Sequence, residues 1–423
     1  MAKVLIAHPT GNMNVRQNAL ALAEVGMLAE FWTCLNFDVS AFPWNRFPVS
    51  FKQKLGRRSF DLKSEVQIRT SPWREIGRHM MSATGLSWGL EPVTGVLSVD
   101  AVYRALDRKV AKRLCQKSGV EVVFASEDGA LETFKAAKKL GKRCVYELPI
   151  GYWKAAREVL EFEAERLPEW AITITGNSDP AAKLKRKDDE LALADAVLVA
   201  SRFTKETLAK APVCPTNVLV LPYAADFSVS EEGLRASLGK GLLQRDEEAL
   251  KPRKLRVLYV GSLTQRKGLS YLLEAMEQLA GGAELTMIGR PARSGCRPLE
   301  AALMRHRWIP SLPHAGILEE MRRHDVLVLP SLFEGFGLVL VEALSQGLPV
   351  IATNHTGAPD IMDDGREGFI VPIRSSEAIA GKLECLHQDR ERLAAMRENA
   401  RETAQHLLWS EYRQRLAAWV AEL

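Results

Sequence analysis

Short runs of apolar residues alternate along the chain with segments in which apolar residues recur every three or four positions. In the first half these runs predict strands at residues 3–8, 31–35, 120–126, 143–148, 196–201 and 217–222. Helical patterns lie between most of them, the first over 15–28. Strands of continuous apolar type, alternating with helices, are typical of parallel sheets covered on both faces. The first half is therefore predicted to be a doubly wound α/β domain.

The pattern breaks at residues 228–254, which are rich in charge and contain glycines and a proline. Beyond the break, a helix is predicted over 269–280 and apolar strands at 255–261, 284–289, 326–330 and 349–354. We predict two α/β domains, 1–227 and 228–404, with a linker near 227–254. A last amphipathic helix over 407–423 is expected to pack on the core through Trp409, Tyr412, Leu416 and either Trp419 or Val420.

Composition supports a globular protein with a sizeable core. The chain has 423 residues, of which 47% are hydrophobic and 26% charged, which suits two or three domains and not a disordered chain. Its six cysteines lie at least 29 positions apart and form no C-x-x-C pair, so we expect reduced, buried thiols in a cytoplasmic protein. The N-terminal apolar run is too short for a signal peptide, and no window is long enough to span a membrane.

The net charge of +5 is concentrated in residues 46–80, called the basic segment below. It holds three acids, Asp61, Glu65 and Glu75, and nine cations, namely Arg46, Lys52, Lys54, Arg57, Arg58, Lys63, Arg69, Arg74 and Arg78. A net charge of +6 fits either an ordinary solvated face or contact with an anionic membrane surface or acceptor. No nucleic-acid partner is expected, because no recognition motif accompanies the charge.

The stretch 329–352, LPSLFEGFGLVLVEALSQGLPVIA, carries two glutamates with seven residues between them. It begins where a strand ends, and ligands of open α/β sheets gather beyond the carboxyl ends of strands. Gly337 and Leu338 are predicted to start a helix whose free N–H groups suit a phosphate. Glu342 would lie roughly 7–8 Å from that helix N-terminus along the helix axis. It could accept hydrogen bonds from a ribose. Glu334 could do the same for a sugar on the other side of a diphosphate.

A second loop, YVGSLTQRKGL, places Arg266 and Lys267 just before a predicted helix N-terminus. Cations are unfavourable at that end of the helix dipole unless an anion binds there. Two of them suit an anion with two negative charges. Ordinary helix-flanking cations are the alternative, and we predict a diphosphate site.

These motifs resemble a known family. Residues 255–372 resemble the donor-binding domain of retaining glycosyltransferases of family 4, through GSLTQRKG, LPSLFEGFGLVLVEALSQGLPVIAT and MDDGREGFIVP. The N-terminal half resembles the family more weakly, through its opening β-loop-α unit and LALADAVLVASRFTKETL. The resemblance implies the GT-B fold, in which two Rossmann-like doubly wound α/β domains face each other across a cleft. It also implies that a C-terminal helix, within 405–423, crosses back to the N-terminal acceptor domain.

The resemblance also implies roles for single residues. Glu334 would hold hydroxyls of the donor sugar, and Arg266 and Lys267 would hold the diphosphate, which makes these three the catalytic candidates. Ser262 stands where many members carry arginine, and Arg266 is expected to supply that charge. The donor-binding candidates are Gly11, Gly261, Phe336, Gly337, Leu338 and Glu342.

The acceptor side and the metal requirement have weaker signals. The chain contains no D-x-D motif, so the two cations and the helix N-terminus are expected to neutralise the diphosphate without a metal or cofactor. Glu147, Tyr152 and Trp153 lie at or just after the end of a predicted strand and are the acceptor-binding candidates, although Glu147 also fits an ordinary loop acid. His8 and His355 lie near strand ends and are expected to be structural.

The expected function is transfer of a sugar, with retention, from a nucleotide-diphosphate sugar to an acceptor hydroxyl. The enzyme would be hexosyltransferase-like and metal-independent, and would act on a glycan or lipid-linked acceptor in polysaccharide or glycolipid biosynthesis. It would be cytoplasmic, with any membrane contact peripheral and at the inner face of the cell membrane. Three alternatives remain open: a nucleotide-sugar 2-epimerase of the same fold, a sugar phosphorylase, and a non-catalytic nucleotide-sugar-binding protein.

Overall fold

The computed structural model describes residues 2–37, 58–62, 65–83, 88–91, 94–116, 119–175, 179–225 and 253–423. These residues form two parallel sheets, each covered by helices. The apolar strands recognised in the sequence are the centres of both sheets, because continuous apolar strands are stable only when both faces are buried. The predicted pair of doubly wound α/β domains is therefore confirmed.

The first sheet has the strand order β3-β2-β1-β4-β5-β6-β7, with neighbouring strands parallel. Its strands are β1 Val4–Ala7, β2 Leu28–Thr33, β3 Gln67–Thr70, β4 Val122–Ser126, β5 Arg143–Leu148, β6 Ala196–Val199 and β7 Val218–Val220. The helices of this domain are α1 Met13–Glu24, α2 Trp73–Ala83, α3 Val99–Leu114, α4 Leu131–Lys139, α5 Trp153–Arg166, α6 Pro168–Ala171, α7 Ala181–Leu193 and α8 Arg202–Thr207.

The second sheet has the order β10-β9-β8-β11-β12-β13 and is also parallel. Its strands are β8 Leu255–Val260, β9 Ala283–Ile288, β10 Arg307–Ile309, β11 Val326–Leu329, β12 Val350–Thr353 and β13 Gly368–Val371. The helices that follow the linker are α9 Leu269–Gln278, α10 Arg297–Arg305, α11 His314–Arg323, α12 Leu338–Ser345, α13 Ala358–Ile361, α14 Ser376–Gln388, α15 Arg390–Ala404 and α16 Trp409–Ala421.

Two predicted boundaries near the N-terminus were wrong. The helix predicted over 15–28 ends at Glu24, and the strand predicted at 31–35 begins earlier, at Leu28. The cause is Gly26, whose φ of +73° stops the helix, after which the N–H of Met27 folds back onto the Leu22 carbonyl at 2.8 Å. The predicted linker lies almost entirely outside the described residues.

The last helix, α16, leaves the second domain and packs on α1 of the first. Its buried face consists of Trp409, Tyr412, Leu416, Ala417 and Val420, so Val420 and not Trp419 completes the predicted stripe. Tyr412 also donates a hydrogen bond to Asn18 of α1 at 2.7 Å. The C-terminal helix thus joins the two domains through both apolar packing and a buried polar contact.

The cysteine prediction was partly wrong. All six thiols are free, and Cys34, Cys144 and Cys296 are buried, but Cys115 and Cys214 are exposed. No helix in the described ranges is both long enough and apolar enough to cross a membrane.

The structure describes four of the nine cations of the basic segment, and each of these four has a partner within the chain. Arg58 and Arg78 contact Glu75 at 2.8 and 3.0 Å, and Arg69 contacts Glu30 at 3.2 Å. Arg74 donates to a backbone carbonyl. The other five, Arg46, Lys52, Lys54, Arg57 and Lys63, lie outside the described residues.

Candidate active site

Arg266 and Lys267 lie on a tight turn between β8 and α9. Residues Gln265–Lys267 form one turn of 3-10 helix, and Gly268, with φ of +67°, leads into α9. A Cβ on Gly268 would lie 1.9 Å from the carbonyl oxygen of Pro330, so only glycine allows this turn to approach the end of β11. The two cations are therefore held beside the loop that follows β11, as the sequence predicted.

Glu334 in that loop contacts both cations. Lys267 Nζ and Arg266 Nη1 both reach Glu334 Oε2, the latter at 3.2 Å, and Arg266 also donates to the Phe333 carbonyl at 2.7 Å. Burial raises the pKa of Glu334, but the charges and hydrogen bonds of Lys267 and Arg266 outweigh burial and hold the pKa below its usual value. Burial is also the main reason why the pKa of Lys267 is lowered. The site therefore holds an ionised carboxylate between two cations.

The backbone after Glu334 forms the start of α12. Gly337 is its N-cap residue, with φ of +91°, and Leu338 is its first residue, so their N–H groups point out of the helix end. Phe336 is buried, and its ring lies so close to Gly357 that a Cβ there would approach the ring to 2.2 Å. Gly347, with φ of +64°, follows the helix end. This helix N-terminus is the predicted phosphate cradle.

Glu342 lies on the partly exposed face of α12, not among the apolar residues that flank it in sequence. Its side chain is 26% exposed, and Oε1 lies 3.1 Å from Nε2 of His314, the first residue of α11. It can therefore bind a hydroxyl group without the cost of a buried, unpaired charge. Sequence reasoning missed His314, which no motif marks.

The loop that carries Glu334 also contacts the first domain. The carbonyl of Gly335 accepts hydrogen bonds from Ser201 Oγ at 2.6 Å and Thr204 Oγ1 at 3.0 Å. A Cβ on Gly335 would lie 2.0 Å from the carbonyl oxygen of Pro149. Arg202, the exposed first residue of α8, donates to Asp360 of the second domain at 2.7 Å. The candidate donor loop is thus seated directly on the carboxyl edge of the first sheet.

The two remaining glycines of the predicted donor site differ in their surroundings. Gly261 directly follows β8 with φ of +153°, and its carbonyl oxygen would lie 1.8 Å from a Cβ on Gly289, which directly follows β9. Gly11, with φ of +60°, has its N–H bonded to His8 Nδ1 at 2.9 Å and its carbonyl bonded to Arg16 at 3.1 Å. Both polar groups of Gly11 are therefore already used within the chain.

The two histidines near strand ends both have partners within the chain. His8 Nδ1 accepts from the backbone N–H of Thr10 and Gly11, and burial together with nearby Arg58 lowers its pKa to about 4. His355 stacks on Phe203 with ring centroids 4.4 Å apart. A neutral His8 leaves its Nε2 as the N–H donor, facing the hydroxyl of Tyr103 at 3.5 Å.

A cavity of about 370 Å³ lies at the carboxyl ends of β1, β4 and β5. Glu147 lines it, accepting hydrogen bonds from Asn14 at 2.6 Å, Asn18 at 3.1 Å and Ser126 at 2.5 Å. Burial raises the pKa of Glu147, and these three hydrogen bonds oppose the increase. Pro149, which touches the donor loop, is also part of the wall. The cavity is therefore next to the candidate donor site.

Tyr152 and Trp153 are not brought together with Glu147. Both turn their polar atoms to Asp188 of α7, Trp153 Nε1 at 2.7 Å, and Tyr152 is buried in the core. Neither side chain lines the cavity. Instead, the cavity holds acids that the sequence reading did not select, namely Asp100, Glu127, Asp128 and Asp179, with Lys183 contacting Asp128 and Asp179 at 3.4 and 3.0 Å.

Comparisons with known proteins agree with this geometry. Residues 243–403 match the family model described as Glycosyl transferases group 1, which covers the domain with both cations and both glutamates. The chain aligns over its whole length with sucrose-phosphate synthase from Thermosynechococcus elongatus, covering 99% of that chain at 18% identity with a TM-score of 0.66. The Anabaena protein Alr3699/HepE, solved in complex with UDP-glucose, aligns over 100% of both chains at 16% identity with a TM-score of 0.61. The fold is GT-B.

A curated relative is similar over a shorter stretch. Alpha-D-kanosaminyltransferase of Streptomyces kanamyceticus is 29% identical over 247 residues, which are 53% of this chain and 58% of the relative. The alignments to the first three curated relatives span between 36% and 58% of their lengths. Within this GT-B chain, the stretch that matches the group 1 glycosyltransferase family model lies in the second domain.

The GT-B arrangement explains how distant residues come together. The carboxyl ends of β8 and β11 bring the cation turn to Glu334, and the carboxyl ends of β1, β4 and β5 surround the cavity of the facing domain. Across the described ranges, no group of three or more His, Cys, Asp or Glu side chains is arranged to hold a metal ion.

Proposed function

We propose that the chain is a retaining glycosyltransferase of family 4 that moves a sugar from a nucleotide-diphosphate sugar to an acceptor hydroxyl. The observation that carries this proposal is the contact of Glu334 with Arg266 and Lys267 beside the N-terminus of α12. Two cations and a helix N-terminus suit a diphosphate. A carboxylate between them suits the hydroxyls of the attached sugar.

Each residue then has a defined task. Arg266 and Lys267 bind the diphosphate, and the N–H groups of Gly337 and Leu338 bind its other phosphate oxygens. Both cations contact Oε2 of Glu334, which leaves Oε1 for a sugar hydroxyl. Glu342 accepts from the ribose hydroxyls, and His314 holds its side chain in place.

The reaction follows from charge stabilisation at the leaving group. The bond between the anomeric carbon and the β-phosphate oxygen breaks, and its electron pair stays on the phosphate. The acceptor oxygen forms the new bond on the same face of the sugar, and its proton passes to that phosphate oxygen. Arg266 and Lys267 stabilise the negative charge that develops, which is the largest contribution such a site can make.

This charge balance leads us to propose a hexosyltransferase that requires neither a metal ion nor an organic cofactor. The two cations supply the positive charge that a divalent ion would otherwise bring to the diphosphate, and D-x-D is absent from the sequence. The test is transfer in the presence of excess EDTA. Activity that disappears and returns with Mn²⁺ or Mg²⁺ would refute this part of the proposal.

We assign the acceptor to the cavity around Glu147, in the first domain. Its volume of about 370 Å³ suits one or two sugar units, and its wall includes Pro149, which touches the donor loop. The acceptor would be a glycan or a lipid-linked sugar of polysaccharide or glycolipid biosynthesis. A peripheral membrane contact, if the acceptor is lipid-linked, would depend on Arg46, Lys52, Lys54, Arg57 and Lys63.

A nucleotide screen tests the proposal directly. UDP, GDP, ADP and their common sugar conjugates are added to the protein at about 100 times their dissociation constants, where a true ligand adds about 2.7 kcal/mol to the free energy of unfolding. Product analysis with and without added acceptor follows for the conjugate that binds. Release of a new free sugar without acceptor would identify a 2-epimerase, and binding without any turnover would identify a non-catalytic protein.

A further inference from the structure

Glu163 is a buried carboxylate of the first domain whose side-chain partners, among the described residues, belong to the second domain. It lies in the last turn of α5, and its side chain is fully enclosed, with 0% exposure. Its Oε1 accepts from Gln265 Nε2 at 2.8 Å and from the hydroxyl of Tyr271 at 2.7 Å. Its Oε2 accepts from Arg374 Nε at 2.8 Å.

The contact with Gln265 leads directly to the cation turn. Gln265 is the first residue of the 3-10 turn that contains Arg266 and Lys267. Its amide group is fixed on both sides, since Nε2 donates to Glu163 and Oε1 accepts from the backbone N–H of Ser270 at 3.1 Å. The side chain of Gln265 therefore ties the start of α9 to the first domain across the cation turn.

A second contact from the first domain holds the same turn. Thr173 Oγ1 accepts from the backbone N–H of Gln265 at 2.9 Å, and its carbonyl accepts from Thr264 Oγ1 at 2.6 Å. Both threonines are buried. Trp170, three residues before Thr173, is packed in the apolar core of the second domain. The end of the α5–α6 segment is thus built into the second domain around this turn.

The partner on the other side of Glu163 is unusual in its backbone. Arg374 has φ of +62°, which is unfavourable for a residue other than glycine, and its guanidinium lies 4.6 Å from the centre of the Phe162 ring. The arginine neutralises the buried charge of Glu163, without which that carboxylate would be costly to enclose. The strained arginine and the enclosed acid therefore meet beside the cation turn.

We infer that Glu163 is a positioning residue for the diphosphate site: through Gln265 it fixes the turn that presents Arg266 and Lys267. It touches neither donor nor acceptor and acts only through the orientation of those two cations. This inference rests on the proposed function, since it assigns the two cations to a diphosphate. A supporting side chain of this kind holds a binding group within a fraction of an ångström of its productive position.

The test compares the affinities of a nucleoside diphosphate and the matching monophosphate. For whichever of UDP, GDP and ADP binds the wild-type protein, calorimetry measures both dissociation constants in wild type and in Glu163→Gln. We expect the diphosphate to bind about tenfold more weakly in the variant, because misplaced cations cost the contacts that the second phosphate makes. The monophosphate should lose less affinity. The ratio of the monophosphate dissociation constant to the diphosphate dissociation constant therefore falls. General damage to the fold would weaken both ligands alike and leave the ratio unchanged.

Two further variants complete the test. Glu161→Gln lies two residues away on the same helix, is exposed, and should leave the ratio at its wild-type value. Gln265→Leu removes the link to the turn, and with it the bonds of Gln265 to Ser270, while leaving Glu163 with Tyr271 and Arg374. It should lower the ratio at least as far as Glu163→Gln does. If Glu163→Gln does not fold, Gln265→Leu alone decides. A ratio unchanged in Gln265→Leu would overturn the inference. A wild-type protein that binds none of the three diphosphates would overturn the proposed function, and the inference with it.

Discussion

The two glutamates of the EGFG stretch occupy different environments, and this difference separates their expected effects. Glu342 is 26% exposed beside His314, whereas Glu334 is buried with its charge shared by two cations. We expect Glu342→Gln to weaken the binding of a nucleoside diphosphate and of its sugar conjugate equally, by about 1–2 kcal/mol, because a ribose contact is common to both ligands. Calorimetric titration of both ligands into the variant measures this.

Glu334→Gln should affect the two ligands unequally, weakening the sugar conjugate's binding but not that of the free diphosphate. Removing its charge releases Arg266 and Lys267 for the phosphates, so the free diphosphate should bind at least as well as to wild type. The sugar conjugate loses a charged hydrogen bond, worth about 1.5–3 kcal/mol. The same titrations decide the matter, and equal losses of the free diphosphate in the two glutamate variants would contradict both assignments.

His8 gives the first domain a predictable response to acid. Its pKa is lowered from 6.5 to about 4, mainly by burial and then by Arg58, so between these values only the unfolded chain binds a proton there. Stability is therefore unaffected above pH 6.5 and falls as the pH drops towards 4, by up to about 3 kcal/mol of the free energy of unfolding.

His8→Asn provides the comparison for that response. Its side-chain oxygen can replace Nδ1 as the acceptor for the N–H groups of Thr10 and Gly11, but it takes up no proton. We expect denaturant unfolding to show a shallower loss of stability in the variant between pH 6.5 and 4. Parallel pH profiles for the two proteins would show that His8 is not the group responsible.

For single residues, the sequence shows which side chains suit the chemistry of the site better than it shows which side chains are in contact. Glu334, Arg266 and Lys267 were selected from local motifs, and the structure places them in contact because each follows the carboxyl end of a strand in one sheet. His314 and Glu163 could not be found in this way. Their partners lie 28 and 102 positions away, and neither residue type nor spacing marks them.

Among the elements, Gly268 determines whether the cation turn can form. Gly268→Ala would introduce a Cβ 1.9 Å from a backbone carbonyl at a positive φ, so the turn or the end of β11 must move. We expect a loss of about 2–4 kcal/mol in the free energy of unfolding and weaker diphosphate binding. Thermal and denaturant unfolding, followed by calorimetry, measure the two effects.

The matched control for that change is Gly381→Ala in α14. Gly381 is exposed, lies within a helix, and has no heavy atom within 4 Å of the position that an added Cβ would occupy. Alanine there should stabilise the helix by up to about 1 kcal/mol. A Gly268→Ala protein as stable as Gly381→Ala would show that the turn is not constrained as described.

The sequence reading missed three strands, β3, β10 and β13, which lie at the edges of their sheets. β3 reads QIRT and β10 reads RWI, and their partly exposed side chains leave no continuous apolar run of the kind that marks a central strand. β13 reads GFIV and is mostly buried, but its apolar run is only three residues long. The central strands were predictable because burial on both faces leaves that run in the sequence.

At the scale of the whole molecule, the contact between the two domains was the least predictable feature. It includes the packing of α16 on α1, the ion pair of Arg202 with Asp360 and the hydrogen bonds to the Gly335 carbonyl. These contacts join residues more than a hundred positions apart, so no local periodicity reports them. The resemblance implied that two domains face each other, but not which side chains fix their approach.

Gly335 is the residue at which this approach can be tested. Its position leaves no room for a side chain, since a Cβ would lie 2.0 Å from the Pro149 carbonyl oxygen and 2.9 Å from the Ile150 Cα. Because both are backbone atoms, Gly335→Ala must move the donor loop away from the first domain. The Gly335 carbonyl should then lose its bonds to Ser201 and Thr204, with a cost of about 1–3 kcal/mol. We expect faster amide hydrogen exchange in residues 148–152 and 333–340, and weaker donor binding.

The control is Gly119→Ala, at an exposed site with no heavy atom within 4 Å of the added Cβ, which should leave exchange in both segments unchanged. Exchange at the wild-type rate in Gly335→Ala would mean that the loop does not rest on the first domain in solution.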